Sequence, residues 1–251
     1  MAVRFEISGK VATLAFDRPE KKNAITAAMY QAMADALIQA SADAAVRVIV
    51  ITGDGGAFTA GNDLADFLQS PPQGEGSPVA QFMTALRTVT KPVIAAVPGL
   101  AIGIGTTLLM HCDLVYAAQS AKFAMPFTQL GLCPEFAASV LLPRLAGYPR
   151  AAEKLLLGDA FDAAEAERMG LINRVLPADE LMPFVSQQAA RLAALPVESL
   201  RITKQLMRAD LQTPIAAAML TELQHFTRML NEPAAKEAFS AFLEKRKPVF
   251  D

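Results

Sequence analysis

Three segments of this sequence combine glycine, apolar neighbours and hydrogen-bonding or ionisable groups in patterns that suit chemistry. The first is Gly53-Asp54-Gly55-Gly56-Ala57-Phe58-Thr59-Ala60-Gly61-Asn62-Asp63-Leu64. It follows an apolar run and leads into an expected helix over 62–68. Glycines there permit positive φ and close approach of a ligand. N–H groups at such a helix start can bind an anion or a developing oxyanion. Spacing alone fits an ordinary glycine-rich connection equally well. The second segment, Gly99-Leu100-Ala101-Ile102-Gly103-Ile104-Gly105-Thr106-Thr107, is a similar strand-to-helix turn. Alone it reads as close strand–helix packing. Two such turns, each after an apolar strand, suggest a paired oxyanion hole. The third is Leu130-Gly131-Leu132-Cys133-Pro134-Glu135-Phe136-Ala137-Ala138. Glu135 sits among apolar neighbours, unlike the glutamates of the C-terminal segments, which read as surface groups. Desolvation would raise its pKa, as a general base requires. On local sequence alone the better reading is a first-turn glutamate placed favourably at a helix N-terminus.

Other chemistries are poorly supported. Cys112 and Cys133 have no His or second Cys at ligand spacing, and the chain holds only two histidines, His111 and His225. A disulfide framework or a Cys/His metal site is therefore not expected, and His111 reads as a packed core residue. Neither Gly-x-Gly-x-x-Gly nor a P-loop pattern occurs, and no Gly-x-Ser-x-Gly elbow presents a serine nucleophile. The 23 basic and 25 acidic residues give a net charge of −2. That balance offers no basic excess for nucleic acid. Pro92–Cys112 is uncharged and long enough to span a bilayer, but its prolines and glycines divide it into a strand, a turn and a helix. The N-terminus lacks a secretory apolar region and the tail matches no organelle address, so a cytoplasmic protein is expected.

The elements that must position these groups are legible in outline. Val3–Ile7 and Val11–Phe16 alternate around Ser8-Gly9-Lys10, which predicts a hairpin. Thr26 is placed to cap a helix whose apolar side uses Met29, Met33, Ala36, Leu37 and Ala40. Arg47–Thr52 and Val93–Val97 read as strands buried on both faces. Further strands are expected at Leu114–Ala117 and Lys122–Met125, a mixture that indicates an α/β protein. Ser70–Pro78 has linker composition and reads as a surface loop. Asp162-x-x-Glu165 reads as a capping pair. From Pro177 the chain turns helical, with helix starts expected at Thr213-Pro214 and Asn231-Glu232-Pro233. Phe239, Phe242 and Leu243 form an apolar stripe that needs a covering surface.

Together these motifs resemble the enoyl-CoA hydratase/isomerase (crotonase) superfamily along essentially the whole chain. The resemblance begins with Asp17-Arg18-Pro19-Glu20-Lys21-Lys22-Asn23-Ala24. It continues through Phe58–Leu64 and Gly99–Asp113, and ends with Gly170-Leu171-Ile172-Asn173-Arg174-Val175. It implies a crotonase fold: a spiral of ββα units over residues 1–195, and a helical C-terminal region over 196–251 that forms trimers, often paired into hexamers. It further implies an acyl-CoA thioester as ligand, with no metal or redox cofactor, nucleic-acid partner or membrane.

By the same resemblance, the thioester oxygen lies between the N–H groups of Asn62 and Ile104. Substrate is contacted by Ala60, Gly61, Asp63, Leu64, Gly103, Thr107 and Phe127. Because CoA is multiply anionic, the Arg18-Lys21-Lys22 cluster is the candidate for its phosphates, a solvated loop fitting those residues equally well. Hydratases of the family carry two catalytic glutamates, and the matching positions here hold Thr107 and Phe127. Glu135 instead is similar to the single catalytic glutamate of peroxisomal-type Δ3,Δ2-enoyl-CoA isomerases, with Phe127 an apolar wall that excludes water. The expected activity is Δ3 to Δ2 double-bond isomerisation. The alternatives are another crotonase reaction, such as hydration, and an acyl-CoA-binding protein without turnover.

Overall fold

In the computed structural model, which describes residues 2–69, 74 and 76–250, the expected hairpin is formed by β1 (Val3–Ser8) and β2 (Val11–Phe16). Helix α1 (Ala27–Ala42) follows, with the Thr26 hydroxyl accepting the Met29 N–H at 3.3 Å. Strand β3 (Val48–Gly53), helices α2 (Leu64–Gln69) and α3 (Pro78–Thr88), and strand β4 (Val93–Val97) come next. Most of the Ser70–Pro78 stretch lies outside the described residues. Its end is not loop, because Ser77 caps α3 and Pro78 opens it, where a missing N–H is harmless. Beyond β4 come β5 (Leu100–Ile102), α4 (Ile104–Thr107), β6 (Leu114–Ala118), β7 (Lys122–Ala124), α5 (Ala138–Ala146) and α6 (Tyr148–Leu157). Then β8 (Phe161–Asp162), α7 (Ala163–Arg168), β9 (Arg174–Leu176) and four helices complete the chain: α8 (Ala178–Ala193), α9 (Val197–Arg208), α10 (Gln212–Met229) and α11 (Pro233–Leu243).

The strands form two sheets. A six-stranded sheet has the order β1-β2-β3-β4-β6-β9, parallel except for the hairpin, and a smaller one has the order β5-β7-β8. Twice the chain places one strand in the large sheet, the next in the small sheet, and then a helix: β4-β5-α4 and β6-β7-α5. The segment after β3 does the same with a single bridge, Thr59 to Ala101, before α2. These are the repeating ββα turns of a spiral. The second glycine segment is thus not wholly a turn, since Leu100–Ile102 pairs with β7.

Alternation along β3 explains why its sequence is apolar throughout. Ile49 and Ile51 face the main core with Met33 and Leu37 of α1, while Val48 and Val50 face Leu181, Val185 and Ala189 of α8. Both faces are covered, as a parallel sheet requires. Helix α9 is fastened by charge: Lys204 Nζ lies 2.7 Å from Asp113, Arg208 lies 3.3 Å from the same carboxylate, and Asp113 also accepts the Val93 N–H at 2.8 Å.

Three expectations about helices need adjusting. Helix α2 starts at Leu64, not Asn62. Thr213-Pro214 does not begin a helix, because a 3₁₀ turn at Ala209–Leu211 carries α9 into α10 without an extended capping residue. Phe239, Phe242 and Leu243 do not share one environment. Phe239 packs into the core, whereas Phe242 and Leu243 are exposed on the isolated chain. The Asn231-Glu232-Pro233 start is as expected, with Glu232 as N-cap, and Asp162 accepts the Glu165 N–H.

Candidate active site

The first glycine segment is held in place by Asn23, a fully buried residue with φ of 58°. Its amide donates to the carbonyls of Asp54 and Ala57, both at 2.8 Å, and accepts the Arg18 N–H. Its own carbonyl accepts from Thr59 Oγ1 at 2.6 Å. Asparagine tolerates this left-handed conformation better than other non-glycine residues. The loop then runs beside β5, where Phe58 and Thr59 N–H both donate to Leu100 O, and Ile102 N–H donates to Thr59 O.

That parallel registry decides what the two glycine segments can do. Asn62 is three residues beyond Thr59 and Ile104 three beyond Ala101, each just after a sharply bent glycine. Neither backbone N–H has an acceptor among the described residues. Gly61 and Gly103 make the geometry possible. Gly61 has φ of 86°, and a side chain there would come within 2.8 Å of Ile102 O; Gly103 has φ of 57° just before α4. Each glycine segment thus carries one backbone donor without an acceptor among the described residues.

Beside Asn62 is a cavity of about 640 Å³, a volume typical of small-molecule sites. Its walls come from α3 (Val79, Met83), α10 (Met219, Leu223, Phe226) and Phe67 of α2. Asn62 and Glu135 line it, and the Tyr30 hydroxyl donates to the Asn62 side-chain oxygen. Glu135 belongs to a loop preceding α5, not to the helix's first turn. Thr107 Oγ1 donates to its Oε1 at 2.5 Å. Burial pushes the Glu135 carboxyl up to about 8; the Thr107 hydrogen bond pulls the other way, and the nearby charge of Glu222 adds to the rise.

The loop carrying Glu135 is itself conspicuous. Phe136 and Ala137 both have φ of 58°, a conformation that non-glycine residues hold only when the surroundings enforce it. His111 Nε2–H donates to the Phe136 carbonyl at 2.8 Å, and the two rings stack with centroids 3.7 Å apart. Burial lowers the His111 pKa to about 3, so it serves as a neutral packed donor.

Several expected site residues have other employment. Arg18 does not face outward for a phosphate: its guanidinium donates to Asp63 at 2.6 Å and to Ala24 O at 3.1 Å. Asp63 is likewise occupied, by Arg18 and by the Ala65 and Asp66 N–H groups at the start of α2. Burial opposes its charge, but the Arg18 hydrogen bond and the helix N–H groups prevail and hold its pKa low. Phe127 is packed in the core and does not line the cavity. Thr107 is fully buried behind Glu135. Ala60 and Gly61 shape the loop through hydrogen bonds to Lys22 O and Thr59 Oγ1, Gly103 donates to Ala124 O, and Leu64 packs against the core at the start of α2. Lys21 and Lys22 remain exposed.

Sequence reasoning missed Tyr30 and Glu222. Glu222 is not a surface group: it is 6% exposed, lines the cavity, and accepts from Ala137 N, Ser139 N and Ser139 Oγ. Only its burial, invisible in an amphipathic helix pattern, marks it out. Among the described residues no cluster of three or more His, Cys, Asp or Glu could hold a metal, and no helix is long and apolar enough to cross a membrane.

The fold and this combination of unpaired backbone donors with a half-buried carboxyl define a class. Residues 6–251 match the profile of the enoyl-CoA hydratase/isomerase family. The chain is 37% identical to a crotonyl-CoA hydratase of Syntrophomonas wolfei, covering 96% of this chain and 94% of that protein. It is also 37% identical to a 1,2-epoxyphenylacetyl-CoA isomerase of Escherichia coli K12, with the same coverage. The crystal structure of an enoyl-CoA hydratase/isomerase from Pseudoalteromonas atlantica T6c superposes with a TM-score of 0.96 at 38% identity, over the full length of both chains. The protein belongs to the enoyl-CoA hydratase/isomerase family and has the crotonase fold.

The raised Glu135 pKa has a consequence for stability. Unfolded, this carboxyl ionises near 4.5, whereas in the folded protein it keeps its proton until about 8. Between those values the native state binds the extra proton, so this group's contribution to stability falls as pH rises. Glu135→Gln removes that penalty. Thermal unfolding should show the variant gaining stability relative to wild type between pH 5 and pH 8. A difference independent of pH would contradict the shifted ionisation.

Proposed function

We propose that the protein moves a double bond from the Δ3 to the Δ2 position of an enoyl-CoA, with Glu135 as the single acid–base residue. The observation that carries this is a cavity-lining carboxyl, Glu135, of which only Oε1 accepts a hydrogen bond among the described residues, in a site that also holds Asn62, whose backbone N–H has no acceptor among them. An α-proton of a thioester is far too weakly acidic for a carboxylate unless the enolate is stabilised. With the thioester oxygen between the Asn62 and Ile104 N–H groups, the developing charge meets preorganised donors, each worth about 2.7–4 kcal/mol in comparable sites. The Glu135 carboxylate takes the C2 proton of a 3-enoyl-CoA and the electron pair spreads over a dienolate. The same carboxyl then returns a proton at C4, leaving the double bond at C2–C3. No metal or redox step is required. The apolar cavity between α3 and α10 takes the acyl chain, and the exposed Lys21 and Lys22 are the cations offered to the CoA phosphates.

Hydration is the second reading, favoured by the hydratase name of the Syntrophomonas wolfei relative. It needs a group to deprotonate water and a route for a proton to C2. Glu222 is the other carboxylate lining the cavity, but both its oxygens already accept hydrogen bonds from Ala137 and Ser139. A single base therefore suits isomerisation better. Absorbance of the conjugated enoyl thioester separates the two readings: 3-enoyl-CoA should be converted with rising absorbance. Crotonyl-CoA hydration should be at least about a hundredfold less efficient, the typical contribution of a positioned acid–base group. Glu135→Gln should abolish isomerisation and keep acyl-CoA binding within a few-fold. Equal kcat/KM for the two reactions, or a fully active variant, would refute the assignment.

The proposal extends to a homotrimer or hexamer in the cytoplasm. Leu156 and Leu157 of α6 and Phe242 and Leu243 of α11 are each more than half exposed on the single chain, at 67%, 57%, 62% and 59%. Exposed apolar side chains of this size mark a partner surface where they join into one patch. Light scattering at micromolar concentration should give three or six chains, and a monomer mass would refute it.

A further inference from the structure

The loop that presents Glu135 is fastened from outside the ββα spiral. Ala137, the second of its two left-handed residues, donates its N–H to Glu222 Oε2 at 2.6 Å. Ser139 donates both its N–H, at 3.0 Å, and its hydroxyl, at 2.5 Å, to Glu222 Oε1. Glu222 sits on α10, more than eighty residues further along the chain, and is almost wholly buried. Four groups therefore bracket the base: Thr107 holds the carboxyl, His111 holds the Phe136 carbonyl, and the two Glu222 oxygens hold Ala137 and Ser139. A left-handed pair of non-glycine residues persists only under such enforcement. The three donors engage both oxygens of Glu222, which suits it to holding the loop.

We infer that Glu222 is a positioning residue: its carboxylate locks the Phe136–Ala137 turn and so sets where Glu135 stands in the cavity. The inference rests on Glu135 being the base. It makes the active site depend on α10 twice, since the same helix supplies the acyl-cavity wall through Met219, Leu223 and Phe226. Helix α10 also packs its Ile215 against Ala137 and Leu141, a second contact between the helix and the loop. The charged groups around this contact are Glu135 itself and Arg228, with Cys133 beside the Glu222 backbone; His111 is neutral there.

Glu222→Gln tests the role, because the amide keeps the shape while turning one acceptor into a donor that faces an N–H. With the variant folded by near-UV circular dichroism, kcat for 3-enoyl-CoA should fall about 10²-fold, the effect of displacing a catalytic group by about 1 Å. KM should stay within about threefold. The midpoint of the acid limb of kcat should also move to lower pH, since the negative neighbour that raises Glu135 is gone; simple loss of folded protein would leave that midpoint in place. Ser139→Ala, which removes one of the three donors and little else, should fall between the variant and wild type. Wild-type kcat and pH profile in folded Glu222→Gln, with Glu135→Gln inactive, would overturn the positioning role and leave the base intact. Activity surviving in Glu135→Gln would overturn both. Should Glu222→Gln not fold, wild-type kcat in Ser139→Ala overturns the positioning role.

Discussion

The burial of one carboxyl group governs this site. Taking Glu135 out of water opposes its charge more strongly than the single Thr107 hydrogen bond supports it, and that imbalance turns an ordinary weak base into one poised near neutrality. Maintaining it requires an apolar enclosure and a backbone that cannot relax toward solvent. The first comes from the cavity between α3 and α10, the second from a strained turn gripped by His111 and Glu222. Much of the surrounding fold serves one of these two ends.

The electrostatic partner of that base is built without side chains. One parallel bridge, Thr59 to Ala101, brings two ββα turns into registry, and the N–H groups three residues further along each lack an acceptor among the described residues. Backbone donors cost no reorganisation when charge develops and cannot be lost by changing a side chain at the same position. What they do require is glycine where the chain bends sharply, at Gly61 and Gly103, and a fixed loop upstream. Asn23, with every polar atom of its side chain used, provides that fixation.

What the sequence made legible follows from which forces are local. Buried strands such as Val48–Gly53, the Thr26 and Asp162 caps and the two glycine turns have periodicity or spacing that nearby residues determine. Glu135 stood out because its immediate neighbours are apolar. Glu222 did not, because its burial arises from partners at positions 137 and 139, and a helix pattern reports its own faces only. The same limit explains Arg18, Asp63 and Phe127. Each has a residue type suited to substrate contact, yet long-range packing assigns the first two to each other and the third to the core. Phe239 and Phe242 were separated for a similar reason: the stripe is real in sequence, but the core reaches only its first member.

The central claim is that Glu135 is protonated at neutral pH in the resting protein and loses that proton near the pH at which it must act. Infrared difference spectroscopy of wild type against Glu135→Gln reads this directly through the stretch of a buried, protonated carboxylic acid. The account predicts a band present at pH 6.5, absent from the variant, and titrating away around pH 8, about where burial places the group. A Glu135 seen only as carboxylate down to pH 5 would contradict it.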